Sequence, residues 1–294
     1  MITAHLVMSL TNYQNRGGEM KKSTLANKIV NAPYLLWSAL FIIAPLLMVI
    51  YYAFTDSNGN FTMENIMQIG DYTDVFILSI CYGAVATLIC FLIAYPFAYI
   101  LSQSSLSFQR TATMLVMLPM WMSFLIRTYS WITILGESGV LNKFLGLFGV
   151  EPLHMLNTGG AVILGMVYNF LPYMILPLYT VMSKMDISLV EAAEDLGCNK
   201  FNCWRKVILP LSVPGIASGV TMVFVPSVST FYITQKLGGG QITLIGDIIE
   251  GQFQTAYNYN LGAALSLVLM VMILICLGVL NYFTDSDDEG GAFV

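Results

Sequence analysis

Residues 183–210 read SKMDISLVEAAEDLGCNKFNCWRKVILP, an unusually long polar connection between two strongly apolar segments of the chain. At helical spacing, small and apolar side chains share one face of its first half, and carboxylates share the other. The apolar face consists of Val190, Ala192, Ala193 and Leu196, and the charged face of Glu191, Glu194 and Asp195. Gly197 then offers a helix-ending position, after which Phe201 and Trp204 resume the apolar spacing. The pattern predicts two short helices joined at Gly197.

The segments on either side of this connection suit lipid rather than water. Of the 294 residues, 57% are hydrophobic and only 10% are charged, and the mean hydropathy is +0.73. That leaves too few charges to cover a water-soluble globule. A membrane-crossing helix needs about 20 apolar residues, and six stretches qualify: 34–54, 75–101, 111–135, 161–182, 214–234 and 261–283. The sequence therefore predicts an all-α integral membrane protein with six helices in the lipid bilayer, and no basic patch indicates nucleic-acid binding.

The basic residues orient the predicted spans. Nine of them fall on one set of connections: Arg16, Lys21, Lys22, Lys28, Arg110, Lys184, Lys200, Arg205 and Lys206. Only Lys143 and Lys236 fall on the opposite set. Cytoplasmic loops carry the excess of lysine and arginine, and six spans return the chain to its starting side, so we expect both termini and residues 183–210 in the cytoplasm.

Three parts of the chain follow from this orientation. Residues 1–32 form a cytoplasmic N-terminal segment, 33–284 the transmembrane domain, and 285–294 a cytoplasmic acidic tail. The run NRGGEMKK at 15–22 resembles a translated ribosome-binding site just ahead of Met20. This raises the hypothesis that residues 1–19 precede the native start.

Proline and glycine mark bends and contacts inside the spans. The prolines within or bordering apolar stretches include Pro45, Pro96, Pro119, Pro172, Pro177 and Pro226. Each removes a backbone donor and favours a kink, which suits either a bundle bent around a cavity or ordinary membrane-helix packing. Gly215 and Gly219 form a GxxxG-type face, which predicts close contact with a neighbouring helix.

The connection at 183–210 also carries a recognisable signature: EAA, three residues, Gly, nine residues, then I-x-L-P. The matching residues are Glu191, Ala192, Ala193, Gly197, Val207, Leu209 and Pro210, with valine in place of isoleucine at Val207. The segment resembles the coupling helix of the membrane subunits of bacterial ABC importers. The resemblance implies a six-helix type I importer transmembrane domain that docks this segment onto an ATPase. The chain has no G-x-x-x-x-G-K-[ST], so we expect no enzyme activity and no cofactor here, with ATP and Mg bound by the separate ATPase.

Other segments point to one kind of importer. They are AYPFAYIL at 94–101, LPMWMSFLIRTYSW at 118–131, GVLNKFLGLFGV at 139–150, LPYMILPLY at 171–179 and LGGGQITLIGDII at 237–249. These are similar to the B-type permease subunits of spermidine/putrescine importers. That resemblance implies polyamine uptake by alternating access across the bacterial cytoplasmic membrane. It also implies a heterodimer with a C-type permease, two ATPase subunits and an extracytoplasmic polyamine-binding protein.

A flexible polycation requires carboxylates and aromatic faces along its path. Asp247 and Glu250 lie three residues apart on the outer side and would share a helical face, although a solvated outer loop explains them equally simply. The candidate rings are Trp121, Tyr129, Tyr168, Tyr173 and Tyr232, for which interfacial anchoring is the alternative. Arg127 would repel a cation inside a span, so we interpret it as structural, paired with Glu137 or with a partner subunit.

Two other classes of protein remain as alternatives at this point. A permease for another small organic cation or solute fits the same signature. An ion-coupled secondary transporter would also use proline-bent helices, but it has no reason to carry an ATPase-docking helix. Cys198 and Cys203 have no third ligand nearby in sequence, so we predict no metal site.

Overall fold

The computed structural model describes residues 33–290, and apart from one isolated bridge between Thr55 and Phe61 these residues form only helices, turns and irregular connections. The eleven described helices are α1 (Pro33–Ala53), α2 (Glu64–Ser102), α3 (Leu106–Trp121), α4 (Phe124–Leu135), α5 (Val140–Gly146), α6 (Gly159–Met182), α7 (Ile187–Asp195), α8 (Lys200–Ser229), α9 (Tyr232–Leu237), α10 (Ile245–Gln254) and α11 (Tyr259–Gly290). The hypotheses about residues 1–32 lie outside the described residues. The backbone of α11 continues past 284, into the predicted acidic tail.

Five helices are individually long and apolar enough to cross a membrane, namely α1, α2, α6, α8 and α11 up to Val279. The third predicted span, 111–135, is wrong as a single helix. The chain instead turns by 91° between Leu106–Trp121 and Phe124–Gly146. The cause is local, because Met122 and Ser123 are extended directly after a turn of helix that contains Pro119. The six predicted spans are therefore five helices and one bent pair.

Two other predicted boundaries are wrong. The fifth span ends at Ser229 rather than 234, because Thr230 is extended and a separate helix begins at Tyr232. The second short helix predicted after Gly197 is the beginning of α8, which runs without interruption from Lys200 into the membrane. The break at Gly197 itself is confirmed.

Each of the two π-helical turns in the described chain ends two residues before a proline. One covers Ala39–Ile43 before Pro45, and the other covers Trp204–Ile208 before Pro210. A proline has no N–H to donate and its ring crowds the carbonyl of the preceding turn, so a widened turn allows the helix to continue. This local adjustment explains why α8 continues through Pro210 instead of forming a separate short helix before the span.

The central core is formed by α2, α6 and α8, which pack against one another. On α2 the inner face has small side chains at four-residue spacing: Ala86, Cys90, Ala94 and Ala98. Tyr95 on the same helix lies 3.1 Å from Ser212 on α8, oxygen to oxygen, which joins the two helices by a buried hydrogen bond. Small residues let the backbones approach, and the hydrogen bond satisfies two polar groups that lipid would leave unpaired.

The predicted GxxxG contact is confirmed between α8 and α6. A Cβ added to Gly215 would lie 3.1 Å from the Val181 side chain and 3.2 Å from the Pro177 carbonyl oxygen. One added to Gly219 would lie 2.6 Å from the sulfur of Met174. The two helices are therefore in backbone contact at both glycines.

A second packing layer joins α11 to α1 and α10. Its core includes Phe76, Phe224, Val228, Leu261 and Leu265. The end of α1 is capped from two directions, since Asn65 donates to the Thr55 carbonyl at 2.9 Å and Asn260 donates to the same oxygen at 2.6 Å. These amides satisfy carbonyl groups that a helix end leaves without partners.

We expect Gly215→Val to destabilise the bundle by about 1–3 kcal/mol, because the added methyl groups would displace Val181 and the Pro177 backbone. The measurement is the thermal midpoint of the detergent-solubilised complex. Gly278→Val is the matched control, because a Cβ added to Gly278 in α11 would meet no atom within 4 Å. Equal midpoints for the two variants would contradict the contact.

Candidate functional site

The predicted coupling segment is an exposed helix with a defined start and end. Asp186 caps α7 by accepting the N–H of Ser188 at 3.0 Å, and this contact lowers the pKa of the Asp186 carboxyl. At the other end Gly197 has φ of +83°, a conformation that glycine adopts without strain. The N–H of Cys198 donates to the Ala193 carbonyl at 3.0 Å and completes a Schellman end.

The signature residues divide into two groups in space. Glu191 and Ala192 are exposed on α7, and Leu196 at its end is 90% exposed although it is apolar. Val207, Leu209 and Pro210 lie instead at the base of α8, where Val207 and Leu209 are half-buried. The first group presents an uncovered helical surface, and the second joins that surface to the membrane part of the chain.

Direct contacts connect α7 to the core. The Cys203 thiol lies 3.9 Å from the Val190 carbonyl oxygen, which links the two sides of the Gly197 break. Trp204 stands edge-on to Tyr95 on α2, with ring centroids 6.0 Å apart. From there α8 is a 30-residue helix, about 45 Å long at helical rise, that ends at Ser229.

The Ser229 end of α8 adjoins the elements that bear Tyr129, Tyr232, Lys236, Asp247 and Glu250, which we call the outer cluster after the side of the membrane predicted for them. The short helix α9 supplies Tyr232 and Lys236, α4 supplies Tyr129, and α10 supplies the two carboxylates. A Cβ added to Gly246 would lie 2.6 Å from the carbonyl oxygens of Ser229 and Thr230. The start of α10 is therefore seated directly on the break that separates α8 from α9.

The two predicted carboxylates share α10, as expected, and both contact α9. Asp247 accepts the N–H of Leu244 at 2.8 Å and lies 2.8 Å from the Thr234 hydroxyl. Glu250 accepts a hydrogen bond from Gln235 at 3.0 Å. Asp247 thus has a structural task at the start of α10, whereas Glu250 has a single amide partner among the described residues.

The five predicted rings do not form one site. Tyr129 and Tyr232 meet edge-on with centroids 6.3 Å apart, and Phe124 lies 5.9 Å from Tyr232. Tyr168 packs on Trp131, centroids 5.2 Å apart. Trp121 and Tyr173 are exposed and belong to neither group.

Sequence reasoning missed Lys236, Phe124, Thr234 and Gln235. The signal for Lys236 was its position four residues after Tyr232, because residues at that spacing share a helical face. Its Nζ lies 5.6 Å from the Tyr129 centroid and 5.8 Å from the Tyr232 centroid. Phe124 had no signal, since its contact with Tyr232 depends on the bend after Trp121.

The proposed pairing of Arg127 with Glu137 is wrong. Glu137 lies 2.7 Å from His154 instead, and both side chains are largely exposed. Arg127 is only 6% exposed, and its Nε and Nη1 atoms have no hydrogen-bond partner within residues 33–290. Its guanidinium faces Phe124 at 5.9 Å. The alternative, an acidic group on a partner subunit, stays a prediction.

Residues 94–285 match the family described as "Binding-protein-dependent transport system inner membrane component". The chain belongs to this family. It is 38% identical over 262 residues to the "Spermidine/putrescine transport system permease protein PotB" of Haemophilus influenzae, covering 86% of this chain and 92% of that protein. The protein of the same description from Escherichia coli K12 is 35% identical over 247 residues, covering 81% and 90%.

Solved structures agree on the fold. The crystal structure of a bacterial ABC transporter involved in the import of the acidic polysaccharide alginate has a chain that superposes with a TM-score of 0.70 at 17% identity, covering 91% of this chain and 97% of that one. The fold is that of a type I ABC importer transmembrane domain. The chain is a multi-pass permease of the cytoplasmic membrane, a transport subunit that works with a binding protein and a separate ATPase.

Asp247 provides a pH-dependent test of the outer cluster. Asp247 lies in α10, which is not one of the candidate membrane spans. Burial raises the pKa of its carboxyl to about 6. The geometry agrees, because the single Thr234 hydroxyl proton cannot serve both Asp247 and the Phe231 carbonyl oxygen 2.6 Å away. A protonated Asp247 donates to Thr234 and frees the hydroxyl for Phe231. The folded state therefore binds the proton more tightly than the unfolded chain does, and stability falls as pH rises from about 4 through about 6.

We expect the thermal midpoint of the complex to fall between pH 5 and pH 7.5 more in the wild type than in Asp247→Asn. The asparagine amide can donate to Thr234 and still accept from Leu244, without a titration. Asp247→Ala should instead lose about 1–2 kcal/mol at both pH values, because it leaves the start of α10 uncapped. Identical pH dependence in the wild type and Asp247→Asn would contradict this assignment.

Proposed function

We propose that this chain is the permease subunit of a polyamine importer, which carries spermidine or putrescine into the cell. The observation that carries the proposal is the continuity of α8, which begins at the exposed coupling segment and ends beside the outer cluster of carboxylates and rings. The similarity to permeases named for spermidine/putrescine transport supports the substrate class. Glu250 and the faces of Tyr129 and Tyr232 are the groups that a polycation would contact first.

The proposed assembly is a heterodimer with a C-type permease, together with two ATPase subunits and an extracytoplasmic polyamine-binding protein. Both termini and α7 face the cytoplasm in this arrangement, as the distribution of basic residues indicates. ATP and Mg bind the ATPase subunits and not this chain. The exposed apolar Leu196 and the small side chains of Ala192 and Ala193 suit a helix that seats in a groove of the ATPase.

The mechanism follows from these contacts. Closure of the ATPase pair moves α7, and the contacts at Cys203 and Trp204 transmit the movement to α8 and α2. Because α8 is held against α6 at Gly215 and Gly219, these two helices move together. The Ser229 end of α8 then shifts α9 and α10. The outer cluster then changes shape between outward-facing and inward-facing states, which is alternating access.

Coupling is tested with Glu191→Ala and Gly197→Val in a complete transporter, expressed in a bacterium deficient in polyamine uptake. We expect uptake of radiolabelled spermidine and putrescine to fall at least about tenfold, because valine cannot adopt the positive φ of Gly197 without strain. ATP hydrolysis should also lose its stimulation by the polyamine-loaded binding protein. The matched controls are Glu194→Ala, an exposed carboxylate on the same helix, and Gly59→Val, which has the same φ of +83° in the connection between α1 and α2.

The outcomes separate the parts of the proposal. Wild-type uptake in the Gly197→Val transporter would refute the coupling role of α7. An assembled, ATP-hydrolysing wild-type transporter that takes up neither polyamine would refute the substrate class alone.

Charge removal tests the outer cluster. The double variant Asp247→Asn with Glu250→Gln should lower uptake several-fold at unchanged complex yield, since it removes both negative charges and keeps hydrogen-bonding groups in place. Glu137→Gln is the control, because that exposed carboxylate pairs with His154 away from the cluster. Equal uptake by the wild type, the double variant and Glu137→Gln would show that these two carboxylates do not act on the substrate path.

A further inference from the structure

Lys236 has an ammonium group that no carboxylate neutralises within the described part of the chain. It lies in the last turn of α9 and is half-buried. Its Nζ is 5.6 Å from the centroid of Tyr129 and 5.8 Å from that of Tyr232. Both distances fall within the ~6 Å at which a ring face attracts a cation. The ammonium is therefore held by the two tyrosine rings.

Arg127 makes a similar contact with Phe124 but cannot respond in the same way. Its guanidinium is buried, and its backbone lies inside α4. Lys236 is half-buried on a flexible stem, at the end of a six-residue helix. After α9 and its C-cap Gly238, both Gly239 and Gly240 have positive φ, so the chain turns just beyond the lysine. Of these two cations, Lys236 is the one whose side chain is partly exposed.

The chemistry of Lys236 matches that of the proposed substrate. A lysine side chain ends in a primary ammonium on a four-carbon stem, which is the terminal group of a linear alkyl polyamine. Rings that hold one such group can hold the other. They cannot hold both, since two unit charges about 4 Å apart repel by about 4 kcal/mol at an effective dielectric constant of 20.

The short helix α9 connects the tyrosine rings with the two carboxylates. Thr234 and Gln235, the two residues before Lys236, bond to Asp247 and Glu250 on α10. The same short helix therefore contacts the carboxylates with one set of side chains and the tyrosine rings with another. An ammonium that enters beside Glu250 arrives next to the helix that bears Lys236.

We propose that Lys236 is an intramolecular competitor of the substrate: its ammonium occupies the Tyr129–Tyr232 ring pair until an ammonium group of the polyamine displaces it. This inference rests on the proposed polyamine function. Lys236 sets the affinity of the outer cluster, because the rings are available only while the lysine is away. If Lys236 occupied them about nine-tenths of the time, the apparent Kd would be about ten times the intrinsic value.

The first test is equilibrium binding of radiolabelled spermidine to the purified permease and ATPase complex without the binding protein. Lys236→Met keeps the stem length and removes the charge, and should lower the Kd about five- to tenfold. Lys236→Arg keeps a cation over the rings and should leave the Kd near the wild-type value. Lys143→Met is the matched control, an exposed lysine in the last turn of α5. Unchanged or weaker binding by Lys236→Met would overturn the proposal.

The second test follows Lys236 itself. Lysines labelled with ¹³C-methyl groups by reductive methylation keep their charge, and the signal missing in Lys236→Arg identifies this residue. The ring currents of Tyr129 and Tyr232 should shift that signal upfield, and saturating spermidine should return it toward the value of a solvated lysine while the Lys143 signal stays constant. A Lys236 signal that stays upfield with spermidine bound would overturn the proposal. A wild-type complex that hydrolyses ATP and binds no polyamine would refute the proposed function instead.

Discussion

The contact between α6 and α8 at Gly215 and Gly219 is the constraint on which the rest of the molecule depends. Lipid tails are as apolar as leucine side chains, so the hydrophobic effect alone does not hold membrane helices together, and close backbone packing takes its place. Both helices also carry prolines that remove backbone donors. Because the contact fixes α6 against α8, it also fixes the positions from which the α7 connection emerges. An exposed helix with little tertiary contact of its own thereby acquires a defined position below the bundle.

The continuity of α8 has a physical cause that is visible at Pro210. A proline at this point would normally end a helix or start a new one, and the π turn at Trp204–Ile208 removes the conflict. Rigid helices transmit displacement along their length better than jointed ones do. At the outer end the opposite arrangement is found, since Thr230 is extended and Gly246 lies against the carbonyl oxygens of the break. The chain is thus one continuous helix between the coupling segment and the outer cluster and is broken at the cluster itself.

The features that the sequence predicted correctly are those decided by local chemistry. Apolar length predicted the spans, Gly197 predicted the end of a short helix, and the GxxxG spacing predicted a close helix contact that the structure places against α6. The errors arose where the conformation of one turn depends on the conformation of the turn beside it. Pro119 marked a kink near Trp121, but the 91° bend depends on Met122 and Ser123, which carry no such signature. Likewise, α8 continues through Pro210 because of a π turn that spacing rules do not anticipate. The grouping of Tyr129 with Lys236 could not be read from the sequence, because it depends on how the bent pair folds back against α9.

If the outer cluster lies on the proposed polyamine path, its charges would admit a polycation without retaining it. Conduction and transport both require binding that is strong enough for entry and weak enough for release. Asp247 already caps α10 and contacts Thr234, so part of its capacity to bind a cation is used within the fold. Arg127 adds a buried cation over the ring of Phe124, which itself packs on Tyr232, and a cation there would repel a polyamine. Glu250 and the tyrosine rings remain as the attractive groups, and a resident ammonium on those rings lowers the net attraction further. Substrate exchange then costs little, because one ammonium replaces another on the same two rings and the number of cation–ring contacts is conserved.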